Sequence, residues 1–179
     1  MRLLSLSLFF VACGPMPQPN STPDAGLVTF ADPVTVNRVI DGDTFEVQRA
    51  GQSFRVRMKG VDTPELNSME PSLPAEPFAD EARSFSLAQV GLQVGLQWDS
   101  NCSEPFGFCS EGRDDQACFD RYCRKIAYVQ LSDGRDLGQE LLRAGLARVY
   151  RFDNEMFDRL GDYLNAEDEG RQNRRGQWE

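Results

Sequence analysis

Residues 34–58 constrain the fold more than any other stretch of this chain. Val34, Val36 and Val39-Ile40 alternate as a half-buried strand does, Thr44 to Gln48 alternates again, and Ser53 to Met58 makes a third run. The runs are parted only by Asp41-Gly42-Asp43 and by Ala50-Gly51, both tight-turn signals. Strands joined so closely have to lie side by side, so residues 34–59 are expected to form a three-stranded meander.

The rest of the chain is mixed. Pro64 to Pro77 holds four prolines and is expected to be irregular. Phe78 to Val90 carries Phe78, Ala82, Phe85 and Ala88 at helical spacing, and Val94, Leu96 and Trp98 alternate as a fourth strand. Residues 99–119 are polar and without period, and Ile126 to Leu131 forms a fifth strand stopped by Asp133-Gly134. Asp136 can cap a helix that runs to Ala144 and stops at Gly145, and Asp153 can cap a last helix ending before Gly176. Gly170 interrupts that last helix where Ala forms helix better. Five short strands with three helices predict an α+β fold, a small closed barrel with helices packed on it, of which the OB-fold is one.

The N-terminus reads as an address. Met1-Arg2 precedes a ten-residue apolar run, Leu3 to Ala12, broken only by Ser5 and Ser7. That is too short to cross a bilayer and suits the apolar core of a signal peptide. The run ends at Val11-Ala12-Cys13-Gly14, which resembles a bacterial lipoprotein signal with Cys13 as the lipidated residue. Pro15, Pro17, Pro19 and Pro23 follow among small polar residues, a composition that cannot pack a core. The expected organisation is a signal at 1–12, a lipidated Cys and tether at 13–28, and one domain at 29–179, exported and held by its lipid at a membrane in the cell envelope, or secreted if the signal is an ordinary cleaved one.

Four further cysteines, Cys102, Cys109, Cys118 and Cys123, suit an exported chain with two disulfides. A Cys₄ zinc site is the rival, but these spacings lack its usual short pairs. Cys102 follows the fourth strand and Cys123 precedes the fifth, so a nested pairing, 102–123 and 109–118, suits a hairpin.

Composition narrows the chemistry. The 179-residue chain has no histidine, which removes Ser-His-Asp hydrolysis, histidine general bases and histidine-ligated zinc. Its net charge of −9 excludes a broadly basic face for gripping nucleic acid, though not a local cluster of arginines. Three short stretches hold the candidate residues. Ile40-Asp41-Gly42-Asp43-Thr44 sets two carboxylates around a turn. Arg57 to Glu65 sends an arginine out of a strand toward Asp62, Thr63, a proline and Glu65. Asp120-Arg121-Tyr122-Cys123-Arg124 leads into the fifth strand. Each alone reads as a charged turn. Together they supply carboxylates for a hard cation, guanidinium groups for phosphate oxygens and a glutamate for water.

These stretches, in this order, resemble the staphylococcal-nuclease-like (thermonuclease) domain over about residues 34–178. The resemblance includes Leu141 to Ala147 and the closing Gly176-Gln177-Trp178. It implies a five-stranded OB-type barrel with three helices, acting as a calcium-dependent hydrolase on DNA and RNA. It also implies Asp43 and Asp62 as carboxylate ligands to Ca²⁺, with Thr63 giving its backbone carbonyl. Glu65 would act on the attacking water, Arg57 and Arg124 would hold the phosphate, and Tyr122 would line the phosphate site. Cys123 stands where the family carries glycine, and residues 99–119 are longer than the usual link. Arg151 and Asp153 fall where the best-known member has aromatic residues, which leaves Tyr150 for that contact.

Two function classes follow. One is an extracytoplasmic nuclease, acting as a monomer. The other is a non-catalytic OB-fold module that binds nucleic acid or protein at the membrane. The full set Arg57, Glu65 and Arg124 with both aspartates favours the enzyme, and so does the acidic net charge, because binding alone rests on phosphate neutralisation.

Overall fold

The computed structural model describes residue 30 and residues 32–67, 72–101, 109 and 118–179. The signal, Cys13, the tether and Cys102 lie outside these residues.

The expected meander forms. β1 (Pro33–Val39), β2 (Thr44–Arg49) and β3 (Gln52–Met58) pair antiparallel in chain order. β5 (Gln93–Gln97) pairs with β1, and β7 (Lys125–Gln130) pairs with β5. β3 and β7 then join in parallel, Val56 to Lys125, Arg57 to Ile126 and Met58 to Ala127. That seam closes a five-stranded mixed barrel. The alternation read in the sequence fills it: Val39, Phe45, Val47, Val56, Leu96 and Val129 are buried inside. A short β6 (Cys118–Phe119) adds to the first half of β7.

The three α-helices are α1 (Ala79–Gln89), α2 (Leu137–Arg143) and α3 (Leu160–Gln172). Asp136 caps α2 as expected, accepting from the backbone N–H of Gly138 at 2.7 Å and of Gln139 at 3.2 Å. Leu137, Leu141 and Leu142 bury its apolar face against the barrel.

The last helix starts later than Asp153 suggested. Between α2 and α3 the chain stays extended, because Arg148–Val149 (β8) pairs with Val61–Asp62 (β4) and the Tyr150 N–H donates to the Gly60 carbonyl at 3.0 Å. Asp153 and Asn154 then adopt φ of 46° and 58°, which a right-handed helix cannot contain. The Arg151 guanidinium ties this tight turn by donating to the carbonyls of Asn154 and Glu155 at 2.5 and 2.9 Å.

Gly170 is also more than a poor helix former. A β-carbon there would stand 2.6 Å from the Leu142 carbonyl oxygen, so glycine is what lets α3 lie close against α2.

The cysteines depart from the nested expectation. Cys109 is bonded to Cys123, with Cα atoms 5.3 Å apart, and Cys118 is itself disulfide-bonded. The reason is local. Cys118 lies on β6 and its register partner across the hairpin is Ile126, which leaves Cys123 in the turn beyond, beside Cys109.

Candidate active site

The site is assembled by register. Thr44 at the start of β2 pairs with Arg57 near the end of β3, and Arg57 pairs with Ile126 on β7. One rung across three strands thus collects Asp43-Thr44, Arg57 and, two residues before Ile126, Arg124. The turn before β2 is fixed from the other side. Gly42 packs so closely that a β-carbon would stand 2.7 Å from Thr63 and 2.9 Å from Ala82. Its carbonyl accepts from the Ser86 hydroxyl of α1 at 2.6 Å. Glycine is required here because helix, turn and the 63–65 segment all converge on the same point.

Asp43 is completely buried and its carboxylate accepts three hydrogen bonds. One oxygen, Oδ1, accepts from Arg57 Nη1 at 2.7 Å and from the Thr44 hydroxyl at 2.9 Å. The other, Oδ2, accepts from the Thr63 backbone N–H at 2.9 Å. Arg57 Nη2 donates to Asp62 at 2.5 Å, and Glu65 Oε1 lies 3.9 Å from Nη1. Arg124 enters from the far side and places Nη1 3.4 Å from the Thr44 hydroxyl. Its Nε donates to Asp120 at 2.6 Å. The Tyr122 ring stands 5.4 Å from the Arg124 guanidinium carbon.

Burial dominates the protonation of the acids. It pushes the Asp43 carboxyl up to about 6, against the opposing pull of Arg57. It also raises Asp62 and Glu65, each with Arg57 working the other way. For Glu65 the result is a stronger proton acceptor, half exposed and able to meet solvent. Burial works to lower Arg57, but Asp43 and Asp62 outweigh it and the pKa rises, so this cation never titrates off.

These groups line a cavity of about 510 Å³ whose walls include Arg57, Glu65, Tyr122, Arg124, Tyr150 and Phe152. The sequence-predicted Arg57, Asp62, Glu65, Tyr122 and Arg124 all meet there, and Asp43 lies behind Arg57. Tyr150 stands on the cavity wall as expected, Phe152 joins it there, and Arg151 ties its own loop. The signal was present: positions 150 and 152 share one side of an extended chain. Sequence reasoning also missed the buried Lys59–Glu155 ion pair, 2.6 Å long, on the same cavity. Nor did it find Thr44 as the bridge between Asp43 and Arg124.

The donor set suits a hard cation. Asp43 and Asp62 offer carboxylate oxygens against one guanidinium, and neither histidine nor cysteine competes. Among the described residues no cluster of three or more metal-binding side chains forms a ready-made cage. Two carboxylates and the Thr63 carbonyl would therefore leave the remaining positions to water and phosphate.

The profile of the family described as staphylococcal nuclease homologue matches residues 55–179. The chain belongs to the staphylococcal nuclease family. A thermonuclease of Staphylococcus intermedius is 37% identical over 115 residues, which is 64% of this chain and 57% of that protein. An endonuclease of Bacillus subtilis, YncB, is 35% identical over 118 residues, 65% of this chain and 47% of that protein. An uncharacterized protein of Methanocaldococcus jannaschii is 30% identical over 151 residues, 80% of this chain and 70% of its own length. The chain thus spans little more than half the length of the thermonuclease it matches. The family match takes in Arg57, Asp62, Thr63, Glu65 and Arg124, while the Asp41–Thr44 turn precedes it.

Proposed function

We propose that this chain is a nuclease that hydrolyses phosphodiester bonds of DNA and RNA with Ca²⁺ as its metal. The convergence of two arginines, a half-exposed glutamate and Asp62 on one cavity, with Asp43 directly behind Arg57, carries this reading. The thermonuclease and endonuclease relatives support it. Asp43, Asp62 and the Thr63 carbonyl would hold the cation, which when bound neutralises the phosphate and polarises its P–O bond. Arg57 on β3 and Arg124 just before the neighbouring β7 grip phosphate oxygens and stabilise the charge that builds on them as water attacks. Glu65 takes the proton from that water, or orients it. Tyr150 and Phe152 offer ring faces to a base.

The test is digestion of plasmid DNA, single-stranded DNA and RNA. Activity is expected with Ca²⁺, none with EDTA, and little with Mg²⁺, which demands stricter octahedral geometry. Full activity in EDTA would overturn the metal assignment, and none under any condition would overturn the nuclease reading.

We also propose that the chain is exported and held at a membrane through lipid on Cys13, working as a monomer. The support is the Val11-Ala12-Cys13-Gly14 junction and the proline-rich tether after it. Fractionation of the wild type against Cys13→Ser, with the mass of the mature N-terminus, tests it. A soluble, unlipidated wild type would end the lipid proposal.

A further inference from the structure

The turn that presents Arg124 is fixed twice. Asp120 holds it from within: Oδ1 accepts from the backbone N–H of Tyr122 at 2.9 Å and of Arg124 at 3.0 Å, and Oδ2 accepts from Arg124 Nε at 2.6 Å. The Cys123 N–H closes the turn on the Asp120 carbonyl at 3.0 Å. The second restraint is covalent. Cys123 bonds to the buried Cys109, whose sulfur also lies 3.7 Å from the Asp120 carbonyl oxygen. The crosslink therefore touches the turn at both ends. Cys123 also has φ of 58°, a left-handed backbone that favours glycine and disfavours any side chain. A residue poorly suited to that conformation is tied into it one position before Arg124.

The consequence runs straight into the cavity. Arg124 Nη1 is 3.4 Å from the Thr44 hydroxyl, which donates to Asp43. Relaxing φ at Cys123 would turn the backbone that carries Arg124 and shift its guanidinium from this position. Resting on the nuclease reading above, we propose that the Cys109–Cys123 disulfide is a positioning element for Arg124, so that hydrolysis is fast only in the oxidised form. Cys123 touches neither substrate nor metal; it acts through Arg124. A dithiol reductant reverses the state by delivering two electrons and two protons, giving two thiols and its own cyclic disulfide.

The experiment compares five full-length proteins, the wild type, two double variants, Arg124→Ala and Arg124→Ala with the Ser/Ser pair, each first shown to be folded by circular dichroism. Cys109→Ser/Cys123→Ser is expected to lose about 10²-fold in kcat, as an ångström-scale misplacement does, with calcium affinity unchanged. Cys109→Ser/Cys123→Gly is expected to recover most of that loss, because glycine accepts the positive φ freely. In an Arg124→Ala background the Ser/Ser pair is expected to cost nothing further, since its effect passes through Arg124. Wild-type kcat in the Ser/Ser protein, no recovery with glycine, or an undiminished loss in the Arg124→Ala background would each overturn the proposal.

If the Ser/Ser protein fails to fold, timed reduction of the wild type replaces it. Thiols are trapped by alkylation and mapped by mass, because Cys118 is disulfide-bonded too. Loss of kcat should follow the opening of Cys109–Cys123, and loss that follows only the Cys118 bond would overturn the proposal. The Kd of a 5′-phosphorylated dinucleotide is read alongside. An oxidised wild type that cleaves nothing defeats the nuclease reading, whereas a Kd equal in oxidised and reduced protein defeats the positioning role.

Discussion

Arg57 and Asp62 are joined at 2.5 Å, and the same guanidinium reaches Asp43 at 2.7 Å. One cation thus neutralises both carboxylates proposed to hold the metal. Without metal, Arg57→Gln should be destabilised by on the order of 3–5 kcal/mol, because a fully buried Asp43 loses its counter-charge. Calcium should then raise its melting temperature more than it raises that of the wild type, since it replaces the missing charge. Scanning calorimetry with and without calcium checks this. Equal shifts would place the cation elsewhere.

Glu65→Gln should keep the fold and lose the chemistry. The side chain is 49% exposed, so stability should change by less than about 0.5 kcal/mol. Turnover should fall by roughly 10² or more if the carboxylate takes the proton from water. Arg57→Lys should also be slow, because a point charge cannot span Asp43 and Asp62 as the planar fork does. Wild-type kcat in Glu65→Gln would move the base to another group.

The metal-free protein should lose stability as pH rises from about 4 to about 6. Asp43 holds its proton up to about 6 in the fold, against an ordinary 3.8, because it is buried. The folded state therefore binds this proton more tightly than the unfolded chain does. The advantage is complete below the ordinary value and is lost as pH climbs through the folded one, to a total on the order of 3 kcal/mol. Urea unfolding in EDTA across this window should show a steeper slope in the wild type than in Asp43→Asn, which keeps the raised Asp62 and Glu65. The same slope in both would assign it to other groups.

Phe152→Ala should weaken substrate binding more than it slows turnover. The ring is 44% exposed on the cavity wall, so the fold should tolerate its loss. Removing one stacking surface costs about 1–3 kcal/mol, or roughly 5–150-fold in KM. An unchanged KM on single-stranded DNA would remove Phe152 from the substrate path.

Gly170→Ala should destabilise despite the better helix former. Propensity favours Ala by about 1 kcal/mol, but its β-carbon would stand 2.6 Å from the Leu142 carbonyl oxygen. A net loss of about 1–3 kcal/mol in urea unfolding is expected, as for other overpacked contacts. A stabilised variant would show that α2 and α3 can separate cheaply.

What was legible in the sequence follows from range. The strands of the meander and the Asp136 cap are written in neighbouring residues, and they form where expected. The site triplets were legible because their residue types and spacing are fixed by the chemistry. The late start of α3 was not, because Asp153 looks like a cap until β4 and β8 pair across the chain and hold it extended. Gly170 read as a weakness because its neighbour, Leu142, lies a helix away. The disulfide partner of Cys123 was hidden for the same reason: β6 sets the register, and two residues of strand gave no periodic signal.

The parallel seam between β3 and β7 joins segments roughly 70 residues apart in the chain. Loop-closure entropy makes such a pairing slow, so the meander can form while Arg57 and Arg124 are still on unconnected segments. The Cys109–Cys123 crosslink lies inside that interval near its β7 end and bypasses only its own 14-residue span, so the closure stays long-range. On the nuclease reading proposed above, hydrolytic competence should be acquired only once this seam has closed and be lost when the seam opens.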